Sequence, residues 1–172
     1  MCDRFEIESA RASACRDWAG ALGAVRAALR ESPDHHWWWT QAAEFYGLLG
    51  MRRKEYRAAR IAVELDPDCP LAQFQLGNAL YHCNRPTEAI EVLNALIDRG
   101  AEDVGSGPCG EGRERGEMLV TDATYIIGLS YQSTGKIGRA INALNDYCLS
   151  EATTCFHRDR VKVRFDSVFT HG

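Results

Sequence analysis

Histidine and cysteine are the side chains in this chain with the most to reveal chemically. Paired at short spacing they hold metal ions, and a cysteine beside a base becomes a nucleophile. The candidates are His35 with His36, His82 beside Cys83, and Cys148 with Cys155 and His157. None has the paired spacing of a zinc site, so they read as turn, groove or packing residues. Seven cysteines, Cys2, Cys15, Cys69, Cys83, Cys109, Cys148 and Cys155, make an odd count without a C-x2-C pair. A disulfide framework does not suit a chain of 172 residues, and reduced thiols packed as small apolar groups are expected. Glu64, Asp66 and Asp68 gather at an expected helix end, where solvated acids are common, and no nucleophile stands with a base. Glycines crowd the stretch from 105 to 116, but no Gly-x-x-x-x-Gly-Lys follows a strand to cradle a phosphate. The residues imply no catalytic group, no metal and no cofactor.

The elements that position these side chains fall on one ruler. Pro33 and Pro67 stand 34 residues apart, as do Ala28 and Ala62, and Gly50 and Asn84 mark equivalent points. A fixed period of this length is the signature of a repeat solenoid. Copies lie at 2–35, 36–69, 70–103 and 121–154, each with two apolar stripes at helical spacing around a polar turn. In the third copy Leu76, Ala79, Leu80 and Cys83 make the first stripe, and Ala89, Ile90, Leu93, Leu96 and Ile97 answer it. Gly77, Ala89, Gly128 and Ala140 allow close helix approach, and Asn84 with Pro86 breaks and restarts the chain. Neither helix of a copy can bury its stripe alone, so neighbours must stack.

The pattern resembles the tetratricopeptide repeat. Trp39, Ala42, Ala43, Tyr46, Gly50, Ala62 and Pro67 carry it in the second copy, with Leu76, Gly77, Leu80, Ala89 and Leu93 in the third. Ile127, Gly128, Tyr131, Gly135, Ala140 and Leu144 carry it in the fourth, and the degenerate first copy keeps only Trp18, Ala21, Val25, Ala28 and Pro33. Several positions depart from it: Glu55 and Ala59 replace a small residue and an aromatic, Gln73 and Thr124 replace the opening Trp, and Ala101 and Ala152 replace the closing Pro. The resemblance implies an all-α, right-handed superhelix forming a single domain over 1–172. Two stretches escape the period. A Gly-rich insertion at 104–120 reads as a mobile loop, and 155–169 reads as a capping helix, although Val161, Val163 and Phe165 also alternate like a strand.

In this family the first helix of each copy lines a concave groove that binds a partner. The residues this places there include Trp37, Gln41 and Glu44, then Leu71, Phe74, Gln75, Asn78, Tyr81 and His82, then Tyr125, Ile126 and Leu129. A carboxylate clamp known in the family is missing, because its positions hold Thr40, Glu44, Gln75, Asp122 and Ile126. The implied function is a non-enzymatic adaptor or scaffold for an extended or helical protein segment with apolar side chains. Small acidic repeat proteins of this kind also resemble type III secretion chaperones. A third reading, RNA binding, rests on Arg53, Arg57 and Arg60; a net charge of -4 does not favour it over a solvated basic face. An uncovered apolar terminal face leaves self-association open. Asp3, Glu6 and Glu8 stand where a secretory signal needs an apolar run, so a cytoplasmic location and no membrane insertion are expected.

Overall fold

The computed structural model describes residues 4–106, 109 and 112–150. Among them the chain is all-helical and without strands, as expected. The helices are α1 (Arg4–Ala14), α2 (Trp18–Glu31), α3 (His36–Leu48), α4 (Arg52–Leu65), α5 (Pro70–His82), α6 (Pro86–Asp98), α7 (Gly100–Ser106), α8 (Arg113–Ser133) and α9 (Ile137–Leu149). Successive helices pair antiparallel as α1/α2, α3/α4, α5/α6 and α8/α9, and α3 then packs on α5, and α5 on α8, as the inner layer of a solenoid. The expected capping helix at 155–169 lies outside the described residues.

The turn within each pair has one construction. A residue in the left-handed region ends the first helix: Arg16 (φ 56°), Gly50 (φ 71°), Asn84 (φ 60°) and Gly135 (φ 74°). The next N–H then reaches back across the turn, Asp17 to the Ala12 carbonyl (2.9 Å), Met51 to Tyr46 (2.8 Å), Arg85 to Leu80 (3.0 Å) and Lys136 to Tyr131 (2.9 Å). These positions are separated by 34, 34 and 51 residues, the period followed by the period plus the insertion. The first copy, degenerate in its side chains, therefore keeps the backbone of the others.

Inside each pair, two facing positions trade volume. Gly77 meets Leu93, and Gly128 meets Leu144, so closely that a methyl on either glycine would overlap the leucine. The same register holds Ala43 with Ala59 in the second copy and Ser9 with Val25 in the first, all buried. A small residue against a large one, or two intermediate ones, fills the interhelical space to the density of a core. This explains why Ala59 can replace the expected aromatic.

A second substitution is explained by a hydrogen bond. Trp39 Nε1 donates to the Pro33 carbonyl at 2.7 Å, and Gln73 Nε2 donates to the Pro67 carbonyl at 2.6 Å, one period later. Gln73 thus keeps the indole's polar function without its bulk. Thr124 instead bonds the Val120 carbonyl of its own helix at 2.9 Å, since α8 runs unbroken through that point and leaves no turn to tie down.

The mobile loop expected at 104–120 needs correction. Val104 to Ser106 complete α7, and α8 begins at Arg113, so the insertion lengthens the inner helix of the last pair and sets a short helix against it. Glycine density suggested disorder, but two of these glycines are contact points. A methyl on Gly105 would lie within 3.0 Å of the Gly112 carbonyl, and one on Gly116 within 3.0 Å of the Ala101 carbonyl. Both are buried, and Val104 joins Ile90, Leu93, Leu96, Ala123 and Ile127 in the core.

Candidate functional site

A cleft of about 660 Å³ lies between α1 and α3, closed at its far end by α5 and α8. Its apolar wall is Trp18, Trp37, Trp38, Phe45, Leu48 and Leu71; its polar groups are Glu6, Ser9, Ser13, Gln41, Glu44 and Arg115. Helical spacing puts Trp37, Gln41, Glu44 and Leu48 on one face of α3, while Trp38 (4 % exposed) and Phe45 (3 %) anchor the same helix in the core. Trp18 stacks on Phe45 with ring centres 6.4 Å apart, which stiffens the floor. A second cavity, about 140 Å³, shares Glu44, Leu71 and Arg115 with the first and continues to Phe74, Gln75, Met118, Leu119 and Asp122. Together they form one path along the inner helices.

Acidic groups outnumber basic ones on this path, with Glu6, Glu44 and Asp122 against Arg115. Burial pushes the Glu44 carboxyl above the usual carboxylate range, and the Arg115 charge pulls it part of the way back. An approaching cation would favour its ionised form.

The structure brings together Trp37, Gln41, Glu44, Leu71, Phe74 and Gln75 of the residues the sequence assigned to the groove. The others have different surroundings. Tyr125 packs on Tyr147 of α9 at 4.9 Å between ring centres, Ile126 packs against the third and fourth copies, and Leu129 is buried. Tyr81 is half-buried beside His82, with 5.7 Å between the rings, and Asn78 is half-buried. His82 Nδ1 lies 2.7 Å from Glu55 Oε1 and 2.9 Å from Arg52 Nη1. It therefore serves the one fully buried carboxylate of α4, which also receives Arg52 Nη1 at 3.3 Å. Glu55 can occupy a small-residue position because Gly47 faces it without a side chain and these two partners satisfy its oxygens. Thr40, at a clamp position, is buried with its hydroxyl donated to the His36 carbonyl at 3.0 Å.

Arg115, Met118 and Leu119 were missed. They belong to the extra turns of α8, and only knowledge that the insertion is helical would have placed them. The basic face of α4 is partly spent internally: Arg52 serves Gly47 and Glu55, Arg60 pairs with Glu64 at 3.1 Å, and Lys54 lies over the Tyr46 ring.

A separate cluster joins residues far apart in the sequence. His36 Nε2 is 3.0 Å from Cys109 Sγ, and the Cys69 thiol completes a group whose donor atoms all lie within 4.8 Å of one another. Asp66 Oδ2 stands 3.4 Å from the same His36 nitrogen. Burial, with added effects of Cys69 and Asp66, pushes the Cys109 thiol up to about 12.

Residues 51–104, spanning the second helix of one pair and the whole of the next, match the family model described as tetratricopeptide repeat. Over that stretch the chain carries the tetratricopeptide repeat. The helical solenoid as a whole is similar in fold to solved structures. Against MamA (41-end) from Desulfovibrio magneticus RS-1 the TM-score is 0.66 at 18% identity, covering 96% of this chain and 86% of that one. Against the TPR2B domain of yeast Sti1, solved as a complex with pHsp70, it is 0.59 at 20% identity, covering 77% and 94%. At such identities the likeness is one of fold. No curated protein matches the sequence. Among the described residues no helix is long and apolar enough to cross a membrane.

Proposed function

We propose that this tetratricopeptide-repeat solenoid is a non-enzymatic adaptor that holds a segment of a partner protein in the groove lined by α1, α3, α5 and α8. The observation that carries the reading is the cleft of about 660 Å³ walled by Trp18, Trp37, Trp38, Phe45, Leu48 and Leu71. Rigid aromatic groups in a concave surface are the anchors that dominate interface energetics. Its fold relative, the Sti1 TPR2B domain, was solved with pHsp70, which supports peptide capture as the mode. The carboxylate clamp is absent, so fixed positive charge does not select the ligand. Instead the segment brings apolar side chains for the tryptophan wall and a Lys or Arg for Glu44 and Glu6.

A random peptide library panned against the folded chain tests this. Selected peptides are expected to pair large apolar residues with a basic one. Trp37→Ala should weaken them about thirtyfold or more, from the roughly 2 kcal/mol that a central aromatic anchor carries. Arg57→Ala on the outer helix should leave them unchanged. Binders that depend on Arg57 and ignore Trp37 would move the interface to the convex face.

A further inference from the structure

We propose that His36, Cys69 and Cys109 bind a zinc ion, with the Asp66 carboxylate at the fourth corner of a tetrahedron. Zinc bonds of about 2.3 Å to sulfur and about 2.0–2.1 Å to nitrogen give a tetrahedron with edges of about 3.3–3.8 Å. His36 Nε2 already stands 3.0 Å from Cys109 Sγ and 3.4 Å from Asp66 Oδ2, and both thiols lie within 4.8 Å of that nitrogen. Closing the face formed by His36, Cys69 and Cys109 takes movements of about 1 Å. Two thiolates, an imidazole and one carboxylate form a donor set that suits zinc and disfavours magnesium or calcium.

The donors are held by the repeat architecture, which is why no short motif announces them. Stacking lays the start of α5 beside the start of α3. His36 is the first residue of α3, and Cys69, fully buried, caps α5 ahead of Pro70. The Asp66–Cys69 turn is pinned from outside. The Asp68 N–H occupies Asp66 Oδ1 at 3.2 Å, Gln73 holds the Pro67 carbonyl at 2.6 Å, and Arg99 Nη1 holds the Asp68 carbonyl at 2.9 Å. Asp66 Oδ2 is thereby directed to His36. These contacts supply the outer support that orients metal ligands. Cys109 comes from the insertion, so the ion would fasten the α7–α8 connection to two inner helices. The small cavity beside Cys109 is lined by Leu71 and Arg115, so the metal would also steady one end of the groove. On binding, the two thiols release their protons to solvent, and the imidazole coordinates as the neutral ring.

The test is titration of the reduced, chelator-treated full chain with cobalt(II), then zinc(II). The expected result is a thiolate-to-cobalt charge-transfer band with tetrahedral visible bands, saturating at one equivalent and abolished by zinc. Cys109→Ser and His36→Ala should each lose the band while keeping the helical circular dichroism of the wild type, and Cys15→Ser should keep it. Three results would overturn the proposal: a folded wild type with no such band, a band that survives Cys109→Ser, or a Cys69–Cys109 disulfide that forms equally fast with zinc present.

Discussion

In the turns within the helix pairs, glycine supplies a dihedral angle; at Gly105 and Gly116 of the α7–α8 insertion it supplies room. Gly50 and Gly135 have positive φ and open space where a side chain would go, while Gly105 and Gly116 face carbonyls that leave no place for a methyl. Substitution at the first kind strains a backbone but displaces nothing. At the second kind two helices must separate. Glycine-rich sequence is thus compatible with the loosest and the tightest parts of one molecule, and only the neighbours decide.

The largest effect should come from Gly116→Val, which forces α8 away from α7. A loss of about 3 kcal/mol is expected, seen as a lower urea midpoint with little change in m-value. If Gly116→Val were neutral, the insertion would not be packed as described. A smaller effect tests volume exchange inside a repeat. Gly77→Ala should cost about 2 kcal/mol against Leu93, and in the double variant with Leu93→Ala the two losses should fall short of additivity by about 1 kcal/mol. That variant copies the Ala43 and Ala59 pair of the second repeat, and strict additivity would mean the positions do not compensate each other. Smallest, and opposite in sign, is Arg16→Gly. Removing the side chain from a left-handed turn should stabilise by about 0.5–1 kcal/mol in thermal unfolding, net of the extra unfolded-state freedom.

The period, the helix pairs and the inner helices were legible because each rests on local spacing: apolar stripes, small residues and turn residues recurring every 34 positions. Half of the proposed groove followed from that register, since Trp37, Gln41, Glu44, Leu71, Phe74 and Gln75 line one path. Tyr125 and His82 did not, because a helix position fixes a direction and not a neighbour. Tyr147 across the pair engages the first, and the buried Glu55 engages the second. Arg115 and Met118 were hidden by reading the insertion as a loop. The His36, Cys69 and Cys109 group was hidden for another reason: its members are 33 and 40 residues apart and meet only after the repeats stack.

The indole N–H resonances of the four tryptophans offer the most direct measurement of groove capture, recorded while a library-selected peptide is added. Trp37, Trp38 and Trp18 line the cleft, whereas the Trp39 N–H is already bonded to the Pro33 carbonyl at 2.7 Å and serves as an internal reference. Groove capture gives saturable shifts for Trp37, Trp38 and Trp18 with Trp39 unmoved. Saturable binding that leaves all three cleft indoles in place would contradict it.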